Sequence, residues 1–89
     1  MARIKRQRLP ALNWREGEPM RGGSRQWYSL DGMFRMQCID QYEGIPMTRE
    51  WVLYQWQAGA WSRIAEGRSR KHVERVARLR MAEYENDSE

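Results

Sequence analysis

Side chains capable of covalent or metal chemistry are scarce in this 89-residue chain. His72 is the only histidine and Cys38 is the only cysteine. No Asp, Glu, Ser or Lys is spaced around them as a nucleophile with its base, or a metal site, would require. We therefore predict a protein that is not an enzyme and that needs no metal or cofactor. His72 is interpreted as a surface residue in the first turn of a helix and Cys38 as a core residue of a strand.

Positive charge is concentrated in two segments. Residues 1–25 and residues 63–80 each carry seven basic and two acidic side chains, a net charge of +5 for each segment, whereas residues 26–62 sum to −2 and residues 81–89 to −4. Only Lys5 and Lys71 are lysines among the sixteen basic residues. Arginine binds phosphate or carboxylate groups in a bidentate manner and stacks on aromatic rings. A codon bias of the source genome toward arginine explains the excess equally well.

Hydrophobic patterning predicts an α+β domain with a four-stranded antiparallel sheet made of two hairpins. The strands are expected near residues 26–30, 33–39, 50–57 and 61–65. Asp31-Gly32 between the first two predicts a type I′ turn. Gly59, together with Ala58 or Ala60, predicts the turn of the second hairpin, and residues 40–48 are expected to form a loop.

Two further segments flank the predicted sheet. Residues 1–24 contain prolines and glycines without apolar periodicity, so we expect an extended basic arm in which Leu9, Leu12 and Trp14 anchor to the core. Apolar residues recur with helical spacing over 69–84, and Ser69 is suited to cap this C-terminal helix, which packs on one face of the sheet. The single domain is expected over residues 25–85, with an acidic tail at 86–89.

Alternation along the strands predicts which side chains the helix covers. Under the helix we place Phe34, Met36, Cys38, Val52, Tyr54, Trp56 and Ile64. The opposite face then carries Trp51, Trp61, Arg35 and Arg63, unless the arm with Trp14 folds across it. Tryptophans beside arginines are typical of a stacking platform for unpaired bases. They equally suit a protein partner or a second copy of this chain in a homodimer.

The helix start combines positive charges with the positive end of the helix macrodipole. A bound anion would relieve this repulsion, because free N–H groups and the dipole attract phosphate; screening by solvent is the alternative. The candidate nucleic-acid or anion contacts are Arg68, Ser69, Arg70, Lys71, Arg75 and Arg78 in the helix, and Arg3, Lys5, Arg6 and Arg8 in the arm. The arm equally suits a solubilising tail.

The segment Gly67 to Ala77 resembles the start of the last helix of double-stranded-RNA-binding domains, where Gly-x-Ser and two basic residues precede an alanine-rich helix. The resemblance implies phosphate contacts from this segment. Val73 and Arg75 depart from that family's small-residue pattern, and residues 1–24 contain no counterpart of its first helix. A sheet followed by a helix is also similar to small DNA-binding domains that insert a sheet into the major groove.

These features together predict a small binding module whose partner is DNA or RNA, contacted by the arm and the helix start. The alternative is a small inhibitor or adaptor that docks on a nucleic-acid-handling protein complex, such as an anti-defence, anti-CRISPR-like protein of a phage or mobile element. The N-terminal charges are followed by no apolar run, so we expect no secretory signal or membrane span and a cytoplasmic location.

Overall fold

The computed structural model describes residues 9–20, 24–41 and 48–87 and shows an α+β fold. Its elements are β1 (Trp14–Glu16), β2 (Arg25–Ser29), β3 (Phe34–Gln41), β4 (Thr48–Gln57), β5 (Ala60–Gly67) and α1 (Arg70–Asp87). The strands form one antiparallel meander in the order β1-β2-β3-β4-β5. The α+β class, the antiparallel sheet and the single C-terminal helix are therefore confirmed. Within the described residues, no helix is long and apolar enough to cross a membrane.

The sheet has five strands rather than the four that we predicted. The additional strand is β1, which pairs Trp14 with Ser29 and Glu16 with Trp27. Three residues are too few to show strand alternation, so tertiary contacts hold this segment. Leu12 and Trp14 pack against the core, as expected, and Trp14 lies on the helix side of the sheet.

The two hairpins form where the glycines predicted them, but the first has a different turn. At Gln57 to Ala60 both central residues have positive φ, 50° for Ala58 and 82° for Gly59, as a type I′ turn requires. In the first hairpin Gly32 alone has positive φ, 77°, and its N–H donates to the Ser29 carbonyl at 3.0 Å. The Asp31 carboxylate accepts from the N–H of Met33 at 2.9 Å, which favours this wider turn.

The core lies between α1 and one face of the sheet. Phe34, Met36 and Leu53 from the strands and Val73 and Ala77 from the helix are fully buried. Burial of a large apolar side chain contributes about 1.5–3 kcal/mol, so these few residues account for much of the stability of so small a domain.

The register of β4 corrects our prediction of which side chains the helix covers. Met36 is paired with Leu53 and Cys38 with Trp51, and paired residues share a face, so Leu53 and Trp51 lie on the helix side. Trp51 is therefore not on the uncovered face. The residues that we placed under the helix but that lie on the opposite face are Val52, Tyr54 and Trp56. The alternation of apolar and polar residues gave the wrong face for β4, because this strand carries apolar side chains on both faces.

A β-bulge in β5 changes which of its side chains face the core. Leu53 is paired with Ala65, but the next residue, Tyr54, is paired with Arg63, so Ile64 has no partner on β4. Both Ile64 and Ala65 pack against the core, whereas strict alternation predicts that only Ile64 does so. The bulge leaves Arg63 and Trp61 on the face away from the helix, where we expected them.

Candidate functional site

The start of α1 exposes part of the predicted basic surface. Ser69 directly precedes the helix, and its carbonyl accepts from the N–H of Val73 at 3.4 Å. The first turn contains no acidic residue. Arg68, Lys71 and Arg75, which we call the basic helix edge, are exposed and have no ion pair within the part of the chain that the structure describes.

Arg70 contacts aromatic rings of the sheet although its side chain remains 41% exposed. Its guanidinium lies 4.9 Å from the ring centre of Trp27 and 6.0 Å from that of Trp51. Its Nε donates to Glu74 Oε1 at 2.6 Å, one helical turn later. The helical wheel could not reveal this role, because the two rings that bind Arg70 belong to β2 and β4.

Arg78 also has partners inside the fold. Its Nε donates to the Pro10 carbonyl at 3.0 Å and its Nη2 to the Leu9 carbonyl at 3.1 Å. Both bonds are partly buried and fasten the N-terminal segment to the helix. Arg70 and Arg78, which we predicted as anion contacts of the helix, thus have contacts within the fold as well. Arg3, Lys5, Arg6 and Arg8 of the arm lie outside the described residues.

The sheet face away from α1, here called the open face, carries a row of alternating arginines and tyrosines. Arg15 is paired with Tyr28, Tyr28 with Arg35, Arg35 with Tyr54, and Tyr54 with Arg63. Directly paired residues project on the same side, so this Arg–Tyr row crosses all five strands. Gly17 gives the Tyr28 ring its space, since a Cβ on Gly17 would lie 2.7 Å from Tyr28 Cε2.

Arg35 occupies the centre of the Arg–Tyr row. Its guanidinium lies 4.6 Å from the ring centre of Tyr54 and 5.1 Å from that of Trp61, both within cation–π range. Its Nε is buried without a hydrogen-bond partner, and no carboxylate within the described residues pairs with it. The charge of Arg35 is thus held by rings and remains without a counterion in this part of the structure.

Trp56 and Trp61, the tryptophan pair, lie next to the Arg–Tyr row. Their ring centres are 5.2 Å apart and the ring planes meet at 73°, an edge-to-face contact. Trp61 also lies 6.2 Å from the Tyr28 ring. Trp56 is 47% exposed, so the pair offers aromatic surface to a ligand.

Charge is unevenly distributed along the row. Arg63 forms ion pairs with Glu50, at 3.3 Å, and with Glu66. Arg15 is exposed and forms no ion pair in the described ranges. The uncompensated positive charge therefore lies in the β1 to β3 half of the open face.

The open face contains functional candidates that the sequence did not reveal. We had expected Trp61, Arg35 and Arg63 there, but not Arg15, Tyr28, Tyr54 or Trp56. The one signal in the sequence is Tyr54-Gln55-Trp56, whose alternation places both rings on one face without indicating which face. No group of three or more His, Cys, Asp or Glu side chains that could hold a metal occurs among the described residues. His72 is exposed and Cys38 is buried, as expected.

The chain matches no protein-family model, no curated protein and no solved structure. Its function is therefore inferred from the basic helix edge and the open face alone.

Proposed function

We propose that this domain binds nucleic acid without catalysing a reaction, and that its open face is the main contact surface. The observation that carries the proposal is the Arg–Tyr row beside the tryptophan pair. Aromatic rings alternate there with arginines, and two of these, Arg15 and Arg35, have no acidic partner in the described part of the chain. Such a surface is suited to bind the bases and phosphates of a nucleic acid.

The basic helix edge supports the same proposal from the other side of the sheet. Its three exposed cations, Arg68, Lys71 and Arg75, provide contacts of the sequence-independent kind that phosphates make. Because α1 covers the face opposite to the Arg–Tyr row, a nucleic acid on the open face contacts the helix only if it passes around the sheet. The helix edge is therefore a secondary contact in this proposal, and the arm residues Arg3, Lys5, Arg6 and Arg8 remain further predicted contacts.

The test is the salt dependence of binding, measured by fluorescence anisotropy with labelled DNA and RNA oligonucleotides. Counterion release makes log K fall linearly with log salt. In the variant Arg15→Gln/Arg35→Gln we expect weaker binding and a slope flatter by roughly 0.7 for each phosphate that is no longer neutralised, or roughly 1.4 for two phosphates of a single strand. The matched control is Arg80→Gln, which removes an exposed arginine outside both surfaces.

Absence of binding to any oligonucleotide at low salt would contradict the proposal. If the parent and the double variant have equal slopes of log K against log salt, the phosphates are not bound by Arg15 and Arg35, and the contact surface lies elsewhere. Circular dichroism of each variant checks that the fold is retained.

A protein partner is the second candidate, and one observation favours it. Leu30 is 64% exposed in the turn between β2 and β3, and the N–H of Trp56 donates to the Met33 carbonyl at 2.8 Å, which brings that turn next to the tryptophan pair. Exposed apolar and aromatic side chains grouped in this way are common in protein interfaces. This candidate corresponds to the inhibitor or adaptor alternative, and its binding would show only a weak dependence on salt.

A further inference from the structure

We infer that the ligand of the open face is an unpaired, single-stranded stretch of nucleic acid, with its bases on the tryptophan pair and its phosphates at Arg15 and Arg35. This inference rests on the proposed function and specifies its substrate class. Three properties of the open face carry it: width, available ring surface and charge spacing.

The width of the sheet disfavours double-stranded DNA. Neighbouring strands are about 4.8 Å apart, so the Arg–Tyr row, which crosses five strands, spans about 19 Å over four intervals. The major groove of B-DNA is about 12 Å wide and the minor groove about 6 Å. With its strands running along a groove, a sheet of this width exceeds both grooves, so in that orientation a duplex would meet it only through phosphates and would leave the aromatic rings without a base.

The tryptophan pair has ring surface that an unpaired base can use. The two rings meet edge to face, at 73°, and so they do not stack on each other. The half-exposed Trp56 therefore retains area for a third planar group. Stacking on such rings tolerates any sequence, because every base has a π face.

The order of side chains in the Arg–Tyr row, with a ring between two cations, suits a strand that alternates phosphates with bases. Arg15 and Arg35 are separated by Tyr28 and lie two strands apart, about 10 Å. Neither has an acidic partner within the described residues, whereas Arg63 at the far end is paired with two glutamates. We therefore expect the strand to bind the β1 to β3 half and Trp56, with a short site of about two to four nucleotides.

The experiment compares three probes of equal length: an oligo-dT strand, its duplex with oligo-dA, and a strand with the same phosphates but abasic sites in place of the central bases. The variants are Trp56→Ala, Trp56→Phe and the control Leu79→Ala. The control shortens an exposed apolar residue of α1, outside the open face. Binding is measured by anisotropy at fixed salt.

We expect the oligo-dT strand to bind at least tenfold more tightly than the duplex. Trp56→Ala should weaken binding of oligo-dT by about 5- to 150-fold, the range for removing the stacking of one base on an aromatic ring. Trp56→Phe should restore most of the affinity, and Leu79→Ala should leave it within about twofold. On the abasic strand Trp56→Ala should have no effect, because no base is there to stack.

The outcomes separate the inference from the proposed function. Salt-dependent binding of duplex and single strand with equal affinity, or an unchanged affinity of Trp56→Ala for oligo-dT, overturns the inference and leaves nucleic-acid binding standing. Binding of none of the probes at low salt overturns both.

Discussion

Replacing Arg78 by methionine tests whether this side chain stabilises the fold or contacts a ligand. Arg78 donates to the Pro10 and Leu9 carbonyls at 3.0 and 3.1 Å and so connects α1 to the segment that leads into β1. Methionine keeps the unbranched aliphatic stem but has no donor, so the variant removes both hydrogen bonds and little apolar contact.

The expected decrease in stability follows from these two bonds. A hydrogen bond involving a charged group contributes about 1.5–3 kcal/mol, and because one partly buried guanidinium makes both bonds, we expect a total of about 1.5–3 kcal/mol. At about 0.05–0.15 kcal/mol per residue, a domain of 89 residues has a free energy of unfolding on the order of 4–13 kcal/mol. The variant should therefore fold, with a clearly lower stability.

Urea unfolding followed by circular dichroism measures this difference, and Arg75→Met provides the matched control. Arg75 lies on the same helix and undergoes the same chemical change, but it is exposed and has no hydrogen-bond partner within the described residues. Its variant should remain within about 0.5 kcal/mol of the parent. Equal decreases in the two variants, or a stable Arg78→Met protein that binds nucleic acid more weakly, would refute the structural role of Arg78.

Two further predictions concern the second hairpin and the edge of the sheet. Ala58→Gly should raise the stability by about 0.5–1 kcal/mol. The positive φ of 50° at Ala58 strains an alanine by about 1–2 kcal/mol, and glycine removes this strain. The net gain is smaller than the strain, because glycine loses more conformational entropy on folding. Ala60→Gly, in a strand, should lower the stability, and thermal unfolding of both variants distinguishes the two positions. The hydrogen bond and the charge of Arg25 hold the pKa of Glu16 below its ordinary value of 4.5, so the pair contributes its stability above about pH 4.5 and loses it as the pH falls through the lower folded value. In Arg25→Met the NMR titration of the Glu16 carboxyl should move up toward 4.5, and an unchanged titration would show that the two side chains do not interact.

Local signals in the sequence were sufficient for the hairpins and the helix. Gly32 and Gly59 have the positive φ that turns need, and helical spacing of apolar residues marked α1 over most of its length. The strand β1 gave no such signal, because its three residues are held by pairing with β2 and by Trp14 in the core. The strand β1 therefore forms because of interactions with segments that are distant in sequence.

The candidate site was harder to predict because it depends on register. Val52, Leu53 and Tyr54 are all apolar or aromatic, so alternation could not show which face of β4 meets the helix. The pairing of Met36 with Leu53 decides this question, and the bulge before Tyr54 then aligns that ring with Arg63. The Arg–Tyr row exists only through these pairings across five strands, which no single segment of sequence specifies.

The excess of arginine over lysine has a structural cause at four positions. Arg25, Arg35 and Arg70 lie 4.6–4.9 Å from the centre of an aromatic ring, and Arg78 bonds two carbonyls with one guanidinium. A lysine ammonium is more strongly hydrated and lacks the planar fork, so it would replace none of these contacts well. Codon bias is therefore not needed to explain arginine at these sites. It also follows that part of the positive charge in the sequence stabilises the fold. For the proposed ligand surface, a better guide than the density of charge along the chain is an arginine without an acidic partner among the described residues, such as Arg15 or Arg35.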